Sequence, residues 1–301
     1  MRILATIPPL PMSFLKLSAR SCRRYSSLLG LALGLSSALS GCQSAGGEVP
    51  ARSIPSVRAA AADSVFRAAA TPAVPDSMAL TPVASLENVP TQLHAAVAEL
   101  HRQLGSEAAA LRPEVLERAC VGYLNLRQAG KISRPGVLAV ADMDLPSSEP
   151  RLWVLDLRAG TVLHRSPVAH GRGSGQLRAR HFSNTIKSAC TALGFYRTQD
   201  TYQGKHGLSR RLRGLDPGQN DNALRRYVVL HSADYVSRAY LQRYGQTGNS
   251  RGCPALPPDQ YRAIISAVGE GGCLYLSGPG LESKWLDAAG AARQLAAQGW
   301  R

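Results

Sequence analysis

Aromatic residues make up only 6% of this 301-residue chain, and 20 acidic residues face 35 Lys and Arg. No Gly-X-Y period and no sustained heptads run through it, which excludes collagen-like and coiled-coil architectures. No CxxC pair exists, so a structural zinc site has no support. No internal repeat is visible. The Lys and Arg are dispersed rather than set among stacking aromatics, and no nucleic-acid module is recognisable. The formal charge of +15 therefore reads as a solvated basic surface, and nucleic acid is not expected as a partner. Wholesale disorder is excluded too, because the chain is 45% hydrophobic and its apolar content is ordinary after residue 90.

The charge is uneven. Arg2, Lys16, Arg20, Arg23 and Arg24 precede residue 42 and no acid does, so removal of that stretch leaves 30 bases against 20 acids. An apolar stretch, Leu28 to Leu39, follows the basic one. It is shorter than the roughly 20 residues a membrane span needs and fits the core of an export signal. Leu39-Ser40-Gly41-Cys42 resembles the lipobox of bacterial lipoproteins. By that resemblance residues 1–41 are a signal peptide and Cys42 becomes the lipidated first residue of the mature chain. Gln43, rather than Asp, favours the outer membrane. The expected location is the periplasm, lipid-anchored, in an oxidising compartment.

Residues 42–90 are rich in Ala, Pro and Ser and read as a flexible tether. Leu93, Val97, Leu100 and Leu104 recur at helical spacing over 91–106, with Thr91 as the expected N-cap. A second helix is expected over 113–129, with Pro113 in its first turn. His94 and His101 lack carboxylate or Cys company on the first helix, so surface or packing roles are expected. After Gly130 the pattern turns to short strands: 136–141, a hairpin of 151–157 with 161–165, 226–231 ending in His231, and 273–276. A helix is expected over 258–268. The fold class is therefore α+β: a β-rich domain of short mixed strands with peripheral helices over 135–280, preceded by a small helical segment over 91–134 and followed by a helical tail over 281–301.

Cys120, on a helix, and Cys273, in an apolar strand, read as packing residues or an unassigned disulfide. Cys253 differs. It lies in Gly248-Asn-Ser-Arg-Gly-Cys-Pro254, with small residues directly before the sulfur. A nucleophilic thiol needs exposure, a base, backbone donors for the developing oxyanion and room for an acyl group. Gly252 is expected to leave room, and the amides of Gly252 and Cys253 to act as donors. His231, 22 positions earlier at a strand end, is the candidate base. It would give a thiolate–imidazolium pair, with a carbonyl near Ser232 fixing its tautomer.

The stretch His231-Ser-Ala-Asp-Tyr-Val-Ser237, followed by Ser250-Arg251-Gly252-Cys253, resembles the L,D-transpeptidase catalytic domain (YkuD-like) family, in its murein branch. Further blocks in the same order carry the resemblance: Asp144-Leu-Pro-Ser-Ser148, Val168-Ala-His-Gly171, Phe182-Ser-Asn184, Leu193-Gly-Phe-Tyr196, Thr201-Tyr-Gln-Gly-Lys-His-Gly207 and Asn220-Asp-Asn-Ala223. Three positions depart from the family pattern: Ser232 stands where Gly is common, Arg251 where an aromatic or His often precedes Gly-Cys, and Pro254-Ala-Leu256 where the family carries an Arg soon after the Cys, the last in keeping with the murein branch.

The resemblance implies that Cys253 attacks the diaminopimelate carbonyl of a peptidoglycan stem tetrapeptide, forms a thioester and passes the acyl group to an amine, giving a 3→3 crosslink. Water as acceptor gives L,D-carboxypeptidase activity, a D-amino acid gives exchange, and a protein lysine gives a wall-anchored protein. A silent peptidoglycan-binding lipoprotein is the alternative from another class. No metal and no organic cofactor is implied. Ser250 is expected to hydrogen-bond near the nucleophile, Arg251 to lower the thiol pKa or bind a carboxylate, and Tyr202, Lys205 and His206 to line the cleft. His170 and His181 are expected to be solvated loop residues, and Arg172, Arg178, Arg180, Arg210, Arg211 and Arg213 to present a charged face that could attract stem carboxylates.

Overall fold

A computed structural model describes residue 86 and residues 89–300. The expected signal peptide, Cys42 and nearly all of the tether lie outside the described residues. Helix α1 spans Thr91–Leu104 and buries Leu93, Val97, Leu100 and Leu104, the stripe that the spacing marks. Thr91 is its first helical residue rather than its cap, and Pro90 holds the cap position. Helix α2, Pro113–Gln128, begins on a proline, whose missing N–H would have had no partner there. Every residue from Val115 to Leu126 is buried, so α2 is covered on all sides. A β-carbon on Gly122 would meet the Phe195 ring at 1.9 Å, so glycine is what lets this helix approach the sheet.

The strands are β1 (Val137–Asp142), β2 (Leu152–Asp156), β3 (Thr161–Ser166), β4 (Gly194–Gly204), β5 (Gly207–Gly214), β6 (Val229–Ser232), β7 (Ala255–Leu256) and β8 (Cys273–Ser277). They form one mixed sheet in the order β3-β2-β1-β8-β4-β5-β6-β7. The β1–β8 and β6–β7 pairs are parallel and the other five antiparallel. Strands β1 and β8 are buried along nearly their whole length, without the period of two that one wet face imposes. Helix α2 packs on both of them, and α4 (Tyr261–Val268) packs on β1, β2, β5 and β6. Edge strand β3 alternates exposed and half-buried positions over its first five residues.

Residues of α1, α2, the sheet and α4 share one hydrophobic core. Helix α5, Ala288–Gln298, is capped by Asp287, whose carboxylate accepts from the Gly290 amide at 3.0 Å, and it packs on α2. Asn125 of α2 fixes the approach to it by donating to the carbonyls of Trp285 and Asp287. Among the described residues no helix is long and apolar enough to cross a membrane.

The long β4–β5 hairpin has no counterpart in the apolar strand pattern. Its first half is core, but its second half is polar and largely exposed. The register slips between Thr198 and Thr201, and Gly204 pairs with Gly207, leaving Lys205 and His206 as the tip. A short helix absent from the expectations, α3 (Arg238–Tyr244), follows β6 and is capped by the Ser237 side chain. His94, exposed on the surface of α1, meets Glu117 of α2 at 2.6 Å. Helix packing supplies that partner from 23 residues away.

Candidate active site

Strand β6 carries His231, and β7 begins two residues after Cys253. The two strands run parallel with His231 opposite Ala255. The connection between them returns the cysteine to the strand that bears the histidine. The segment 168–173 holds that return in place. The Ala169 amide donates to the Ala255 carbonyl at 2.9 Å, Ser250 donates to the His170 carbonyl at 2.9 Å, and Arg172 donates to the Ser250 carbonyl at 2.9 Å. His231 and Cys253 both line a cavity of about 660 Å³. Cys253 is half-buried, and it, Cys120, Cys190 and Cys273 are all free thiols.

The His231 Nδ1–H donates to the Ser232 carbonyl at 2.8 Å. That bond fixes the tautomer and leaves the Nε2 lone pair available as a base. The serine at this position costs nothing, because its carbonyl performs the orienting role. Burial pulls the imidazole pKa below its ordinary value, the Ser232 bond opposes this, and the charges of His206 and Lys205 add to the lowering. The His206 ring lies against it with centroids 4.6 Å apart.

Burial pushes the Cys253 thiol upward, opposed by the Val229 amide and by the Arg226 guanidinium. The thiol donates to the Tyr227 carbonyl at 3.6 Å. Both shifts run toward the uncharged forms, against the thiolate–imidazolium pair expected from the sequence, and burial of both groups is the first cause. The cation that acts on the sulfur is Arg226 rather than Arg251.

Gly252 also departs from expectation. Its φ is +117°, and a β-carbon there would meet the Cys190 carbonyl oxygen at 2.5 Å and Arg226 Nη2 at 2.9 Å. The glycine allows close packing of two loops instead of leaving space for substrate. Its amide donates to Ser250 Oγ at 3.0 Å, so it is not free as an oxyanion donor. Ser250 Oγ in turn donates to the Cys253 carbonyl at 2.7 Å, which places it beside Cys253.

Tyr202, Lys205, His206 and Arg251 all line the cavity, brought there by the β4–β5 tip and the cysteine loop. Arg172, Arg178, Arg180, Arg210, Arg211 and Arg213 do not. Arg180 instead pairs with Asp144 at 3.0 Å, and Arg211 with Asp200. His170 is fully buried, not solvated: Nδ1 accepts from Arg151 at 2.7 Å, Nε2–H donates to the Gly175 carbonyl at 3.2 Å, and burial pulls its pKa down to about 4. It is the histidine whose carbonyl holds Ser250. His181 is exposed.

Sequence reasoning missed Arg226. Its guanidinium donates to the carbonyls of Ser183 at 2.7 Å and Cys190 at 2.5 Å, fastening the 183–190 loop against the cysteine loop. An indirect signal was available. The Phe182-Ser-Asn184 and Asn220-Asp-Asn-Ala223 blocks meet here, with Asn184 Nδ2 donating to Asp221 at 2.6 Å and the Asn222 amide donating to Asn184 Oδ1 at 3.1 Å.

The sequence profile of the L,D-transpeptidase catalytic domain matches residues 107–276, more than half of the chain. The chain belongs to the L,D-transpeptidase catalytic domain family. The matched span starts before α2 and ends in β8, so this L,D-transpeptidase domain includes both strands of the candidate site and the buried helix beneath it. Among solved structures, an L,D-transpeptidase from Mycobacterium smegmatis is similar at 18% identity over 48% of this chain and 59% of that one, with a TM-score of 0.30. One from Mycobacterium tuberculosis H37Rv is similar at 17% identity over 48% and 58%, with a TM-score of 0.32. An Enterococcus faecium L,D-transpeptidase with a cysteine replaced by serine is similar at 12% identity over 47% and 50%, with a TM-score of 0.28. The chain thus spans less than two thirds of the length of these structures. No curated protein matches the sequence.

Proposed function

We propose that the protein is a cysteine-dependent murein L,D-transpeptidase. The observation that carries this reading is the placement of a free, half-buried Cys253 and a tautomer-fixed His231 on one cavity within an L,D-transpeptidase domain. His231 Nε2 takes the Cys253 proton as the sulfur attacks the carbonyl of the L-centre of diaminopimelate in a stem tetrapeptide. The S–C bond forms, the C–N bond to D-alanine breaks, and the imidazolium returns its proton to the leaving amine. An amine of a second stem then attacks the thioester, gives a proton to His231, and the thiol is restored. The Cys253 amide is the group assigned to the developing oxyanion.

The leader supports a lipid anchor at Cys42 and a periplasmic, outer-membrane location, where murein is within reach. Incubation of the protein with tetrapeptide muropeptides, followed by mass spectrometry, tests the reaction. A 3→3 dimer supports transfer. Tripeptide alone supports L,D-carboxypeptidase activity, D-amino-acid incorporation supports exchange, and a murein–protein adduct supports a protein lysine as acceptor. Absence of every product, with retention on sacculi, contradicts the enzymatic reading.

A further inference from the structure

The cavity that holds Cys253 and His231 is lined by five cations, Lys187, Lys205, Arg225, Arg226 and Arg251, and by no Asp or Glu. Among the described residues none of the five is ion-paired with a carboxylate. Two of the five already have a relation to the reacting groups. Arg226 acts on the thiol and Lys205 on the imidazole. Lys187, Arg225 and Arg251 are left over, all exposed and on three separate loops. Arg225 donates to Asn222 Oδ1 at 3.3 Å. Lys187 and Tyr227 on the rim hold φ of +67° and +56°, and non-glycine residues stay in that region only where their surroundings impose it. The rim is therefore a built feature that presents positive charge to the cleft.

We propose that Lys187, Arg225 and Arg251 select the acyl donor by its free carboxylates, so that stems whose side carboxyls are carried as amides are poor substrates. This deepens the transpeptidase reading and rests on it. A carboxamide has nearly the shape of a carboxylate, but it lacks the charge and turns N–H donors toward a wall of donors. The discrimination resides in binding that ground and transition states share, so it appears in KM more than in kcat.

The test uses two synthetic stem tetrapeptides, one with free carboxylates and one with its side carboxyls amidated. They are compared on the wild type, on Lys187→Gln, Arg225→Gln and Arg251→Gln singly and combined, and on Lys187→Arg. The expected result is about a tenfold or larger preference in kcat/KM for the free peptide, weakened by salt. It collapses toward parity in the triple variant and is retained in Lys187→Arg. Equal or faster turnover of the amidated peptide, or an unchanged ratio in the triple variant, overturns the proposal. If neither peptide is turned over by folded protein, the transpeptidase reading fails. Calorimetric binding of the two peptides to Cys253→Ala still decides the selectivity: tighter binding of the free peptide upholds it and equal binding ends it.

Discussion

The imidazole of His206 lies against that of His231, with ring centroids 4.6 Å apart. The tip of the β4–β5 hairpin thus brings a second titratable group onto the base. Its charge lowers the His231 pKa, after burial. His206→Ala is expected to raise that pKa toward the ordinary value, so the acid limb of the kcat/KM profile moves to higher pH. His206→Phe preserves the ring contact without the charge and is expected to move the limb in the same direction. An acid limb that stays in place in both variants would contradict the assignment.

Arg226 is expected to matter in two separable ways. Arg226→Met removes the charge that opposes the raised Cys253 pKa, so the inflection in iodoacetamide alkylation against pH moves higher. It also releases the carbonyls of Ser183 and Cys190. Arg226→Lys is expected to restore most of the alkylation profile but not the loop order, because an ammonium lacks the guanidinium fork. Hydrogen exchange of residues 183–190 measures the second effect.

Gly252→Ala is expected to destabilise the fold by roughly 1–3 kcal/mol from backbone strain alone. A β-carbon there would also overlap the Cys190 carbonyl oxygen at 2.5 Å. Thermal unfolding read beside activity checks this, and a variant of wild-type stability would remove Gly252 from its packing role.

His170 makes stability depend on pH. Its folded pKa is pulled down to about 4, whereas the unfolded value is the ordinary 6.5. Between those values the unfolded chain binds the proton and the folded one does not. The contribution of neutral His170 is therefore full above pH 6.5 and falls as pH drops toward 4, by about 3 kcal/mol in total. His170→Gln is expected to flatten the stability–pH curve in that window. The same slope in both proteins would contradict this account.

What the sequence disclosed follows from how local each signal is. The stripe of α1, the proline opening α2, and the apolar runs of β1 and β8 are written in neighbouring residues and appear where expected, whereas β6 begins at Val229 rather than at 226, because Arg226 and Tyr227 lie in a turn with Tyr227 at a φ of +56°. The turn of the β4–β5 hairpin is legible in Gly204 and Gly207 around Lys205 and His206, but the length of its strands is not, because half of the hairpin extends past the core and needs no apolar residues. His170 looked solvated because Gly, Ser and Arg surround it in sequence, yet Arg151 and Gly175 enclose it in space. Cys253 and His231 were visible as a motif. The hold of Arg226 on Cys190 spans 36 residues, and no local pattern encodes such a contact.

The central claim is that the Cys253 sulfur carries the acyl group. Intact-mass and peptide-mapping mass spectrometry of the protein, quenched in acid during turnover of a stem tetrapeptide, tests it most directly. The account predicts a thioester adduct with the mass of the acyl tripeptide on the peptide containing Cys253, labile to hydroxylamine and missing from Cys253→Ala. Crosslinked product made at the wild-type rate by Cys253→Ala, or an adduct on any other residue, would contradict it.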